Sequence, residues 1–371
     1  MKESKFGVHL ISIIVFLIVL STPASFQPCN VVVQAVAQET PSANPLVWNA
    51  MVEANFSIVW ITDTQYLSKS YPAYFDNLCR WIVAHRNVYN VKMVVHTGDI
   101  VDSGDDLTQW ANANSSMGIL LDNGLPYCWG AGNDDFNSSF WVGDQFQAFN
   151  ATLMRDKPYW LSDEFDGRNT AVHFNVSSWD FLIINIEYNA NSTVLAWANR
   201  LLDAYPNSNA IVATHAYIDY KCRYSVWPII FRYTVLENHP RVFLTLSGHF
   251  GSDSGNRTRV GSCDELMFDR QYIDEGMGAA SLRILTFNAA KGIVEVKTYV
   301  LYTNHFLTDS NNQFTLETTF YNFNQKGNEG ESILALLKVI IPTLSIILLA
   351  SVLIYVNRLH RRRKHRNENA R

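Results

Sequence analysis

The chain has 371 residues, with 29 Lys and Arg against 34 Asp and Glu, for a net charge of −5. Arg358, Arg361, Arg362, Arg363, Lys364 and Arg366 crowd into the C-terminal end, so the rest of the chain is more acidic still. That acidity argues against DNA or RNA as a partner, and the length between the two apolar ends suits one large domain.

The chain opens with Lys2 and Lys5, then an apolar run over 8–20 that is short for a membrane span and suits a secretory signal. Ala35, Val36 and Ala37 form an A-x-A cleavage pattern. Residues 1–37 are therefore expected to be a signal peptide, with an uncleaved signal anchor as the alternative.

Strands are expected at 56–62, 91–96, 127–129 and 211–213, which are short and β-branched or aromatic. Residues 74–86 place Phe75, Leu78, Trp81 and Ile82 at helical spacing, and 107–121 is again helix-like. Strand, helix, strand, helix, strand predicts βαβ units and a mostly parallel sheet. Residues 136–170 are aromatic, polar and irregular and read as an insertion over the site. Trp141, Tyr159 and Trp160 within it are candidates either for a substrate mouth or for core packing.

Next come an antiparallel pair at 171–176 and 180–187, an amphipathic helix at 193–204, and a hairpin of 282–287 with 293–301 around a turn containing Gly292. Residues 321–332 read as a polar linker that closes a domain spanning 44–320. The segment 339–356 carries no charge and 333–337 extends it past Lys338, so 333–356 is expected to be a transmembrane helix. The basic run in 357–371 places that tail in the cytoplasm and the domain outside the cell.

Asn-X-Ser/Thr sequons at Asn55, Asn114, Asn137, Asn150, Asn175, Asn191 and Asn256 agree with an exterior, glycosylated domain. Loss of the signal would leave Cys79, Cys128, Cys222 and Cys263. A Cys222–Cys263 bridge and free buried thiols are both open.

Five segments follow apolar runs and offer oxygen or imidazole ligands. They are Asp63-Thr64-Gln65, Gly98-Asp99-Ile100-Val101-Asp102, Gly132-Asn133-Asp134, His215, and Gly248-His249-Phe250-Gly251. In this order the chain resembles the calcineurin-like metallophosphoesterases over nearly all of 56–303. The family pattern is D-x-H, G-D-x-x-D, G-N-H-D/E, a lone His, then G-H-x-H. Gln65, Asp134 and Gly251 stand where that pattern has His.

The resemblance implies a four-layer α/β/β/α sandwich, here carrying a C-terminal transmembrane helix. It also implies one or two divalent ions (Mn, Fe, Zn or Mg) that clamp a phosphoester and activate a water. Asp99 would bridge the ions. Asn133, His215 and His249 would complete the second site, and Asp63 and Gln65 would serve the first. A Gln oxygen suits a hard ion better than Zn²⁺. Asp102 would hold the loop geometry, and Asp134 could replace the family's acid only with a raised pKa. His96 reads as structural.

The expected protein is a single-pass, exterior-facing hydrolase of a phosphomonoester or phosphodiester. The alternative is a degenerate surface protein of the same fold that binds metal or ligand without catalysis.

Overall fold

Alternation along one strand decides the architecture. In β6 (Trp179–Ile186), Phe181 and Ile183 join one apolar cluster, whereas Leu182, Ile184 and Ile186 join another. A strand apolar on both sides must be covered on both. The computed structural model, which describes residues 55–136 and 141–322, answers this with two packed sheets and helices outside them.

The first sheet runs β13 (His305–Leu307), β12 (Ile293–Val300), β11 (Ser281–Asn288), β1 (Asn55–Ile61), β2 (Val91–His96), β3 (Tyr127–Trp129). A further strand, β14 (Gln313–Glu317), also pairs with β12. The second sheet runs β4 (Trp160–Glu164), β5 (Asn169–Val176), β6, β7 (Asn209–Thr214), β8 (Val242–Ser247), β10 (Cys263–Met267), β9 (Asn256–Val260). Parallel pairing is confined to β1–β2–β3 and β6–β7–β8–β10. Every other pair is antiparallel, so the expected mostly parallel sheet is corrected to two mixed sheets. Between the sheets, Phe56 stacks on Phe287 at 4.8 Å and meets Phe181 edge-on at 4.9 Å.

Helix α1 (Gln65–Ser70) follows β1 at once, and α2 (Pro72–His85) starts with Pro72, whose missing N–H is no loss in a first turn. Phe75, Leu78 and Ile82 recur at helical spacing and are fully buried, each stabilising by about 1.5–3 kcal/mol. Trp81 stacks on Tyr299 of β12 at 4.5 Å, which fixes α2 to the first sheet. Asp106 caps α3 (Leu107–Asp122) by accepting from the N–H groups of Thr108 and Gln109, worth about 1 kcal/mol. On the second sheet's far side, α4 (Ser192–Ala204) buries Val194, Leu195, Trp197, Ala198 and Leu202 beside α5 (Val226–Phe231).

The stretch expected as an insertion contributes to the core instead. Trp141, Phe146 and Phe149 gather round Trp110, Trp160 packs against Trp129, and β4 extends the second sheet. Cys79, Cys128 and Cys263 are free thiols, so the Cys222–Cys263 bridge does not form. Tyr321 and Asn322, the first residues of the expected linker, still bond to the second sheet. The signal peptide at 1–37, the rest of the linker, the transmembrane helix at 333–356 and the tail at 357–371 lie outside the described residues. Among the described residues, no helix is long and apolar enough to cross a membrane.

Candidate metal centre

All five segments sit just beyond the carboxyl ends of strands: Asp63 after β1, Asp99 after β2, Asn133 after β3, His215 after β7 and His249 after β8. Ligands of α/β sheets gather at this edge. Two glycines let the loops touch. A Cβ on Gly132 would lie 2.1 Å from Oδ1 of Asp99, and one on Gly248 would lie 2.0 Å from Oδ2 of Asp63. Asp63, Asp99 and His249 take left-handed backbone conformations, with φ of 50°, 50° and 70°.

Asp99 is the hub. Its Oδ2 lies 3.2 Å from Nε2 of His215 and accepts from Nε2 of Gln65 at 3.1 Å, while its Oδ1 accepts the Asp134 N–H at 3.0 Å. Among the described residues, Asp99, His215 and His249 bring ligand atoms within 4.8 Å of one another. Nδ1 of His215 is 3.0 Å from the Thr97 carbonyl. A carbonyl only accepts, so Nδ1 carries a proton and Nε2 faces the cluster, as a metal-ligating imidazole requires. Nε2 of His215 is also 3.1 Å from Nδ1 of His249. Asp63 accepts the His249 N–H through both oxygens, at 3.0 and 3.2 Å, and accepts from Thr62 at 2.5 Å. That grip ties β1 to the loop after β8.

The electrostatics are those of a crowded acid cluster with one cation. Burial works against the His215 imidazolium, but Asp99 beside it wins and holds its pKa up at about 10. Burial pushes Asp99 up, and His215 outweighs it, leaving that carboxyl below its usual range. Burial, aided by Asp269, drives Asp63 well above 3.8. Burial and then Asp99 raise Asp134 to about 6 and Asp135 to about 7. Burial and then His215 push His249 down to about 4.

The Asp102 carboxylate pairs with Lys69 of α1 at 2.5 Å. The residue that grips the loop is Asp135, which is fully buried. It accepts from the N–H groups of Ile100 at 2.6 Å, Val101 at 3.0 Å and Gly132 at 2.7 Å, so one carboxylate welds two of the five segments together. Asp134 is half-buried and accepts from Nδ2 of Asn133 at 2.7 Å. His96 is structural as expected: Oγ1 of Thr64 lies 2.8 Å from its Nε2, its Nδ1 accepts the Gly98 N–H at 3.1 Å, and burial holds its pKa near 3.

Asp269 and Gln271 were not among the sequence candidates, yet both are buried here, with Gln271 touching Asp63 and Gln65. The signal that could have found them is the one used for the other five: polar residues directly after an apolar run, Leu266-Met267-Phe268.

A divalent ion fits this donor set. Buried polar atoms are nearly always partnered, but Oε1 of Gln65 and Oδ1 of Asn133 are buried without a hydrogen-bond partner. One belongs to the first expected site and the other to the second. Each is an acceptor oxygen in a cluster rich in carboxylates.

A model of the calcineurin-like phosphoesterase family matches residues 56–251, more than half the chain. The chain belongs to that family. It is similar to the uncharacterized protein YvnB of Bacillus subtilis, with 32% identity over 305 residues, and spans 76% of itself but only 22% of that protein. Among solved structures, a dimetal phosphatase from Danio rerio is 15% identical, covers 71% of this chain and 99% of its own, and gives a TM-score of 0.49. Purple acid phosphatase PPD1 from yellow lupin (Lupinus luteus) seeds is 10% identical, covers 71% of this chain and 54% of its own, and gives a TM-score of 0.46.

Proposed function

We propose that the protein is a membrane-anchored, exterior-facing, metal-dependent hydrolase of a phosphomonoester or phosphodiester. The observation that carries the reading is the convergence of Asp99, His215 and His249 beside two unpartnered oxygens, on Gln65 and Asn133. Family membership supports the reaction class. The apolar ends of the sequence and its sequons support the placement.

In this reading Asn133, His215 and His249 would hold one ion and Asp63 and Gln65 another, with Asp99 serving that cluster. Divalent ions held there supply Lewis-acid polarisation of phosphoryl oxygens and lower the pKa of water. The protein's own residues do the rest. Thr97 fixes the His215 ring in the tautomer that leaves Nε2 free. Asp135 keeps the Asp99 and Asn133 loops in register. Asp134, raised to about 6 by burial and then Asp99, would be the group that donates a proton to a leaving oxygen in mildly acidic solution.

The test is Asp99→Asn in the full chain, purified in detergent and loaded with Mn²⁺. The reading requires loss of bound metal and at least about a hundredfold loss of phosphoester hydrolysis. Unchanged metal content and hydrolysis would discard it. Metal bound by the wild type with no hydrolysis of any phosphoester would favour the non-catalytic binder.

A further inference from the structure

The chain has Gly251 where its family has the last histidine of the first metal site, and the Tyr272 ring fills the space that a side chain there would need. A Cβ on Gly251 would lie 2.3 Å from Cδ2 and 2.7 Å from Cε2 of Tyr272. Tyr272 belongs to the turn that follows β10, and its neighbour in that turn, Gln271, is 2% exposed. The turn that closes the old ligand position thus delivers a new polar side chain to the same pocket.

The orientation of Gln271 is set by its partners. Asp269 accepts its backbone N–H at 2.8 Å through Oδ1 and its Nε2 at 2.9 Å through Oδ2. Nε2 of Gln271 also reaches Oδ1 of Asp63 at 3.3 Å. In both of these side-chain contacts the amide nitrogen donates, so it faces Asp269 and Asp63. The carboxamide oxygen is therefore the end turned to Gln65.

Gln65 completes the pattern. Its NH₂ group donates both to Oδ2 of Asp99 and to Oε1 of Gln271, and its own Oε1 has no partner. A donor thus sits where two acceptor oxygens converge, while the one acceptor on the same carboxamide is left bare. The NH₂ occupies the position a cation would take. Rotation of the Gln65 amide by half a turn exchanges its N and O, and a cation bound there would replace the two hydrogen bonds that the rotation breaks. That presents a third oxygen to the same point.

We propose that Gln271 supplies the ligand missing at Gly251, with Asp269 as its positioning residue, so that Asp63, Gln65, Asp99 and Gln271 form an all-oxygen pocket for a hard divalent cation. This rests on the metallohydrolase reading above and adds to it an unequal pair of sites. The pocket lined by oxygen alone selects Mg²⁺, Mn²⁺ or Ca²⁺, whereas the site with His215 and His249 suits Zn²⁺ or Fe.

The test is calorimetric titration of the metal-stripped full chain in detergent with Mn²⁺ and with Zn²⁺, together with metal counting after desalting. The variants are Gln271→Met, Gln271→Glu and His215→Ala. The wild type should hold two Mn²⁺ ions. Gln271→Met, similar in size but without the oxygen, should weaken one of them at least about tenfold and spare the other. Gln271→Glu keeps an oxygen and should retain both, and His215→Ala should lose the ion that Gln271→Met keeps.

Two ions bound by Gln271→Met within about twofold of wild-type affinity would overturn the proposal. So would Gln271→Glu losing the ion, a result that stands even if the Met variant fails to fold. A wild type holding a single ion that depends on His215 and not on Gln271 would overturn the proposal while leaving the hydrolase reading intact. A wild type holding none would sink both.

Discussion

Nε2 of His215 stands 3.2 Å from Oδ2 of Asp99, with the one side chain fully buried and the other 2% exposed. Without metal, the His215 imidazolium is the positive centre of an acid cluster, and its titration sets a pH dependence. His215 is raised to about 10 from 6.5, so its contribution to stability is complete below pH 6.5 and is lost as pH climbs through 10. Asp134, Asp135 and Asp269 are raised to about 6, 7 and 6, burial being the first cause in each. Their contributions are present below the ordinary carboxyl pKa and are lost as pH rises through those values. Asp99 is lowered, so its contribution fails only in acid. The metal-free protein should therefore melt at a falling temperature from pH 5 to pH 9 in EDTA. Saturating Mn²⁺ should flatten the trend, adding about 2.7 kcal/mol at a hundredfold excess over Kd. A melting temperature that rises with pH in EDTA would contradict the cluster.

Asp135→Ala should be among the most damaging single changes near the site. It strands the N–H groups of Ile100, Val101 and Gly132. At about 1–3 kcal/mol per buried unsatisfied donor, the loss should be about 3 kcal/mol or more. Asp135→Asn keeps one oxygen and should lose roughly half as much. Urea unfolding of both variants in Mn²⁺ measures the difference.

The role proposed for Asp134 separates by leaving group. In Asp134→Asn, hydrolysis of an alkyl phosphate should fall by about a hundredfold, since its leaving oxygen needs a proton. Hydrolysis of p-nitrophenyl phosphate should change little. Equal losses on both substrates would assign Asp134 to shaping the loop through its hydrogen bonds to Asp99 and Asn133.

Gly251→His should destabilise the protein by about 1–3 kcal/mol, because the new Cβ runs into the Tyr272 ring. Adding Tyr272→Ala should recover most of that loss. The double variant should also bind Zn²⁺ more tightly than the wild type, since imidazole is the better Zn²⁺ ligand. Thermal melts and competition with a Zn²⁺ indicator dye test the two halves separately.

How much of this was legible depended on local chemistry. Asp99 and His215 could be read because each follows a clean apolar strand, and strand ends are where α/β sheets place ligands. The α/β sandwich was legible through the family resemblance that these segments carry. Gln271 was not, because the strand before it hides its own signal. β10 carries Asp264 and Glu265, two charged residues inside a buried strand. Glu265 is fully buried because Tyr217, Tyr224 and Arg232 satisfy it, and no pattern within the strand announces partners so far away in sequence. For Trp141 the sequence left a substrate mouth and core packing both open, for the opposite reason. Its partner Trp110 lies on a helix well upstream, so its packing is a fact of tertiary structure.

Asp63, Asp99 and His249 share a left-handed backbone that branched residues avoid. Their side chains are therefore aimed by the main chain as much as by rotamer choice. Asn enters that region about as readily as Asp, and Thr or Val do not. Any replacement at these positions is a test of two things at once, ligand chemistry and the handedness of the chain. Only Asp→Asn and His→Asn change the first while leaving the second in place, and a loss of folding in an Asp99→Val protein would carry no information about metal.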